Sequence, residues 1–204
     1  MPDGYYTRPS LGVGALSEKV TKELEAWLSA FLNELTGQIS DDQFRSMQDT
    51  PKRFIKSMIE QTQGYEMDPA KILERRFDQK FDEMIAVPGI DFHSTCEHHL
   101  LPFIGQATVG YIPNGSVVGL SKIPRLVDCF AQRLQLQERM TVEIADAMET
   151  HLQPRAVGVI LVAQHQCMSC RGVKKQNAKM VTSVLRGRFK EDPSARAEFL
   201  KFLN

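Results

Sequence analysis

Within the stretch STCEHHLLPF, four consecutive positions carry Cys96, Glu97, His98 and His99, directly ahead of an apolar run. Thiolates and imidazoles are the side chains that zinc takes as ligands. Cys96 and His99 stand three apart at the end of a strand-like pattern, and Cys167 ends another such pattern far along the chain. Two ligands from one turn and a third from a distant strand end suit a metal held by a folded scaffold, whereas a zinc finger brings four ligands in two close pairs. A set of Cys, His and Cys leaves one tetrahedral position for a water that the metal acidifies, which is hydrolytic chemistry. Three alternatives stand beside this reading. Cys96 and Cys167 are buried structural thiols; or Cys170, three residues after Cys167 in CMSC, closes a structural site of three cysteines and a histidine; or Cys167 and Cys170 form a redox pair, although the helix-start setting of such pairs is missing. His98 and His165 add two imidazoles able to move protons near neutral pH. Cys129 falls inside an amphipathic helical pattern and is expected in the core.

A second constellation is basic. GLSKIPR sets Ser121, Lys122 and Arg125 at a strand-to-helix junction, where free backbone N–H groups and the helix dipole favour an anion. CRGVKK adds Arg171 close behind Cys167, and a phosphate-bearing substrate near the metal would use all three cations. The bland reading of these residues, and of Lys174 and Lys175, is a solvated charged face. LQLQER places Gln137 and Glu138 side by side, a donor-acceptor next to an acceptor of the kind that reads the N–H edge of guanine; a surface helix is the alternative.

The elements that must position these groups follow from periodicity. Residues 1–14, rich in Pro and Gly, read as a flexible arm carrying Tyr5 and Tyr6. Val20, Leu24, Trp27, Leu28, Phe31, Leu32 and Leu35 form one helical stripe that must be buried against something, with Gly37 as C-cap. DTPKRFIKSMIEQTQG predicts a second helix with Thr50 as N-cap, Pro51 at its first position and an apolar face of Phe54, Met58 and Ile59. DPAKILERRF starts a third. EMIAVPGIDFHST and IGQATVGYIP read as strands, and the Asn-Gly of PNGS points to a hairpin into VVGLS. Two helical patterns follow, IPRLVDCFAQRLQ and QERMTVEIADAMETHL. RAVGVILVAQHQC is a buried strand, and Asp192 and Pro193 open a last helix. The order is that of an α+β fold, with an N-terminal helical region over 15–80 and a sheet-bearing domain over 81–204.

Composition narrows the function classes. The 204 residues hold 25 Lys plus Arg against 25 Asp plus Glu, so no bulk charge draws the chain to nucleic acid or membrane. Neither a signal-peptide pattern nor a long apolar span is present, which implies a cytoplasmic address. Four cysteines are too few for a disulfide framework at this length.

Taken together, CEHHLLPF, GYIPNGSVVGLSKIPRLVDCFAQRLQLQERMT, HQCMSCRGV and EDPSARAEFL closely resemble the GTP cyclohydrolase I family, in register from about residue 40 onward. The resemblance implies a tunnelling fold, an antiparallel sheet backed by helices, assembled as a homodecamer of two pentamers with active sites at subunit interfaces. It implies conversion of GTP and water to 7,8-dihydroneopterin triphosphate and formate, the first step of pterin and folate biosynthesis, with one zinc per subunit held by Cys96, His99 and Cys167. It further implies that a zinc-activated water attacks C8 of the guanine while His98 and His165 transfer protons, and that Ser121 assists the ribose steps. Gln137 and Glu138 then read guanine, and Lys122, Arg125 and Arg171 clamp the triphosphate, with Arg53 and Lys56 reaching it from a neighbouring subunit. Two departures stand out: Cys170, where the family usually has another residue, and Arg186 and Arg188 in SVLRGRF, a segment that is usually small and neutral. The competing reading is a homologue that keeps zinc only as a structural staple in a non-catalytic binding or assembly subunit.

Overall fold

The computed structural model describes residues 16–37 and 39–203, so the N-terminal arm lies outside it. Two compact units divide the chain, one ending at Glu66 and one beginning at Met67. The first is helical: α1 (Glu18–Thr36), α2 (Asp41–Met47) and α3 (Thr50–Gln61). Serines start the first two, since Ser17 accepts from the Val20 N–H and Ser40 from the Gln43 N–H. α3 begins one residue earlier than expected, with Asp49 in the cap position and Thr50 already helical. It buries Pro51 and Ile55, whereas Phe54 is exposed, so the inward face is rotated from the one predicted. The α1 stripe is also not buried within this unit. α3 packs on α1 and leaves Leu28 and Leu32 half-buried, but one helix covers too narrow an arc, and Val20, Leu24, Trp27, Phe31 and Leu35 stay exposed.

The second unit opens with α4 (Pro69–Leu73), capped by Asp68. Then come β1 (Arg76–Asp78), β2 (Ile85–Cys96), β3 (Pro102–Ile112), β4 (Ser116–Val118), α5 (Lys122–Ala131), β5 (Leu134–Gln135), α6 (Gln137–Leu152) and β6 (Ala156–His165). The chain closes with α7 (Gln166–Ser169), β7 (Met180–Gly187), α8 (Arg188–Glu191) and α9 (Pro193–Leu200), the last capped by Asp192 through the Ser194 and Ala195 N–H groups. Five strands form one sheet in the order β5-β2-β3-β6-β7, antiparallel except for the short β2–β5 pair. Among the described residues no helix is long and apolar enough to cross a membrane.

The expected hairpin after β3 does not form. β3 already has β2 on one side and β6 on the other, so no edge remains for a third partner, and β4 pairs instead with β1 in a separate two-stranded ribbon. A side-chain tie holds β4 near the sheet: the Val118 N–H donates to the Tyr111 hydroxyl at 3.1 Å.

β6 is apolar from Ala156 to Ala163 because both of its faces are covered there. Val157, Val159, Leu161 and Ala163 join the main core with residues of α5 and α6, while Ala156 and Ile160 join a second cluster with Phe189 of α8 and Phe199 of α9. Gly158, on that second face, pairs with Gly110 of β3, and the Phe199 ring sits in the notch that the two glycines leave. β2 is kinked by a bulge between Val87 and Ile90, where Pro88 lacks a ladder N–H and Gly89 takes φ +68°.

Candidate metal centre and active site

Strand register brings distant residues to one end of the sheet. Thr95 faces Pro102, Ser94 faces Phe103, and Phe103 in turn faces His165, so the C-terminal ends of β2 and β6 flank the start of β3. Cys96 ends β2, and Cys167 lies two residues beyond the end of β6, in α7. The segment from Cys96 to Leu101 is a turn closed by backbone bonds: the Cys96 N–H donates to the Leu101 carbonyl at 2.9 Å and the Leu100 N–H to the Cys96 carbonyl at 2.8 Å. Leu100 takes φ +53° to complete it. His98 and His99 project exposed from this turn, with ring centroids 6.3 Å apart.

One ligand atom each from Cys96, His99 and Cys167 lies within 4.8 Å of the others, a group able to hold a metal ion. Burial, then the adjacent Cys96 thiol, pushes the Cys167 thiol up from its ordinary pKa. Cys170 is not part of the group; it is exposed and its thiol donates to the Gln166 carbonyl at 2.9 Å. Cys129 is fully buried in α5, as expected of a core thiol, and burial raises its pKa.

A polar network joins the turn to α6. The Glu97 N–H donates to the Gln135 carbonyl, and the Glu97 carboxylate pairs with Arg139, whose hydrogen bond holds it below the ordinary glutamate range. Arg139 also donates to the Gln135 side-chain oxygen, and the Gln135 amide nitrogen donates to the Phe130 carbonyl and to Glu143. His165 is half-buried and stacks on the buried Phe103 ring at 4.6 Å between centroids, 1° from parallel. Burial holds its pKa below the ordinary histidine range, while the Glu138 carboxylate works in the opposite direction. Its Nε2 is 2.8 Å from the side-chain oxygen of Gln137, which is wholly buried at the start of α6. Glu138, the next residue, is exposed.

The basic candidates are distributed differently. Ser121 is the N-cap residue of α5 and its hydroxyl makes no capping bond. Lys122 and Arg125, one helical turn apart, line a cavity with Met67, Asp68, Lys71, Ile72 and Asp128, a lining that includes none of the three metal-group residues. Arg171 is exposed after α7. Arg53 and Lys56 lie on α3 in the first unit, 3.4 Å from Asp49 and 3.8 Å from Glu60. Sequence reading did not single out Phe103, Arg139, Thr141 or Thr182 as site neighbours; only the strand register and the start of α6 bring them there. Arg186, unaccounted for in the sequence, pairs with Asp146 and Glu149 and so clips β7 onto α6, and Arg188 reaches Asp192 at 3.4 Å.

An α+β domain with a Cys-His-Cys group at one end of a helix-backed antiparallel sheet is a scaffold for metal-assisted chemistry. Residues 25–204 match the family GTP cyclohydrolase I. Curated relatives agree. The GTP cyclohydrolase 1 of Chlorobaculum tepidum is 46% identical over 181 residues, covering 88% of this chain and 81% of that one. That of Wolinella succinogenes is 50% identical over 79% of this chain and 88% of its own. That of Helicobacter pylori strain P12 is 46% identical over 85% and 97%. The chain belongs to the GTP cyclohydrolase I family, and its sheet backed by α5 and α6 has the tunnelling-fold form which that membership implies.

Proposed function

We propose that this chain is a zinc-dependent enzyme that converts GTP and water to 7,8-dihydroneopterin triphosphate and formate. The observation that carries the reading is the convergence of Cys96, His99 and Cys167 in a chain of this family. The donor set fits zinc: two thiolates and an imidazole are its preferred ligands, and tetrahedral sulfurs at the usual zinc distance lie about 3.8 Å apart, so the observed group closes onto an ion with side-chain shifts of about 1 Å. When bound, zinc would supply Lewis acidity and an acidified water for attack at C8 of the guanine. Cys170, bonded elsewhere, leaves the ligand count at three and so favours a catalytic over a closed structural site.

The chain's own residues supply the rest. His98, on the turn, and His165, at the end of β6, exchange protons with the purine ring nitrogen and the ribose side. Ser121 assists the ribose opening and rearrangement. The exposed Glu138 carboxylate accepts from the N–H groups of the guanine edge, beside the buried Gln137. Lys122, Arg125 and Arg171 hold the triphosphate, and Arg53 and Lys56 reach it from a neighbouring subunit of a decamer of two pentamers in the cytoplasm. The division of the phosphate-binding candidates between two compact units is compatible with a site completed by a second copy. Incubation with GTP, followed by oxidation and detection of fluorescent neopterin, tests the reading. Appearance of the product with stoichiometric formate supports it, whereas intact GTP beside a fully zinc-loaded protein would leave the metal as a structural staple.

A further inference from the structure

The amide of Gln137 is committed inside the subunit. Its nitrogen lies 3.1 Å from the Leu161 carbonyl, 3.1 Å from the Met180 carbonyl and 3.1 Å from the Thr182 hydroxyl, across the seam between β6 and β7. Two carbonyl oxygens can only accept, so the NH2 end must face them and the oxygen must face His165. That oxygen, 2.8 Å from His165 Nε2, is likewise only an acceptor, so Nε2 carries the hydrogen and donates. The surrounding hydroxyls agree. The Thr141 hydroxyl donates to the Gln137 carbonyl at 2.7 Å, so in its 2.7 Å contact with Thr182 the hydrogen comes from Thr182. The Thr182 oxygen is then left to accept from the Gln137 amide. Every proton in the chain from Thr182 to His165 has one direction.

From this geometry we infer that Gln137 is a positioning residue that fixes the tautomer and ring plane of His165, leaving Nδ1 as the nitrogen that exchanges a proton with substrate, and that guanine recognition at this pair falls to Glu138. Phe103, stacked on the ring, fixes the plane, and the Gln137 oxygen fixes rotation within it. A glutamine serving as a base reader needs its amide available to the ligand. This one, itself with no measurable exposure, would have to abandon three acceptors, leaving the buried Leu161 carbonyl and the half-buried Met180 carbonyl without this donor.

The inference rests on the proton-transfer role proposed above for His165, and the experiment separates the two. Gln137→Met keeps shape and removes the acceptor, Gln137→Glu keeps an acceptor oxygen, and His165→Asn tests the histidine itself. All three are assayed for zinc content, kcat and KM for GTP. For Gln137→Met, kcat should fall about 100-fold, the scale of a misplaced catalytic group, with KM and zinc content unchanged, and Gln137→Glu should recover part of that loss. A raised KM with kcat intact, or equal loss in both Gln137 variants, overturns the inference. Full activity in His165→Asn overturns instead the role of the histidine on which it depends. Solid-state NMR of the zinc-loaded wild-type enzyme labelled with 15N-histidine, assigned by the signal missing from His165→Asn, reads the tautomer without relying on a variant that folds. A hydrogen on Nε2 is expected; a hydrogen on Nδ1 alone refutes the inference.

Discussion

Replacing Gly158 by Ala adds one methyl group at the most confined point of the second core. Its Cβ would lie 2.5 Å, 2.7 Å and 2.9 Å from Cε1, Cζ and Cδ1 of Phe199, against ordinary carbon contacts of about 3.5–4.0 Å. The ring would have to retreat by about 1 Å to restore normal contact. It has little room to do so: Phe199 is fully buried, stacks on the equally buried Phe189 at 5.0 Å, and lies as close to the Gly110 position on the neighbouring strand. Overpacking of this kind costs about 1–3 kcal/mol. Removing a glycine from the unfolded chain offsets about 0.4–1 kcal/mol of that. A net loss of about 1–2 kcal/mol lowers the melting temperature of a chain this size by roughly 2–8 °C. Thermal melts at one fixed chain concentration read it, since assembly shifts apparent stability. The cause is checked by a double-mutant cycle with Phe199→Leu, whose branched side chain vacates the ring's edge. That second substitution should cost less in the Gly158→Ala background than in wild type, by about 0.5 kcal/mol or more. A Gly158→Ala protein that melts at or above wild type, or a Phe199→Leu penalty equal in both backgrounds, would refute the reasoning.

Three further outcomes concern the site. Cys167→Ser should lose stoichiometric zinc by metal analysis, while Cys170→Ala, whose thiol donates to the Gln166 carbonyl, should keep both zinc and turnover. Glu138→Gln should lower kcat/KM for GTP by about 10–100-fold through one mispaired polar contact, with zinc retained; unchanged kinetics would remove Glu138 from the guanine pocket. Mixing Arg53→Ala with His98→Ala subunits, each nearly inactive alone, should restore partial turnover, and hybrid oligomers that remain inactive would count against a shared site.

What the sequence disclosed and what it withheld divide along physical lines. Ligand chemistry is written in residue type, so Cys96, His99 and Cys167 stood out before any fold was known. Two helix starts were legible for the same local reason: Asp68 and Asp192 each satisfy nearby N–H groups with their own side chains. The strand partner of VVG was not legible, because an Asn-Gly turn says that the chain reverses and not whether the preceding strand has a free edge. Nor was the commitment of Gln137, since its acceptors on Leu161 and Met180 are backbone atoms that carry no signature in the sequence. The inward face of α3 depended likewise on how little of it a neighbouring helix covers.

The turn from Cys96 to Leu101 has a further consequence for any metal the Cys-His-Cys group would take up. Its shape is set by backbone bonds, that from the Glu97 N–H to the Gln135 carbonyl included, by the Glu97–Arg139 pair and by the strands on either side, not by the side chains of His98 and His99. In a zinc finger the ion organises the chain, and chelation unfolds it. Here Cys96 and His99 are placed by the sheet and its turn, and Cys167 by the short α7 that follows β6, so folding would not wait on the metal. An ion held by Cys96, His99 and Cys167 would then be expected to be stripped and reloaded while the sheet stays intact.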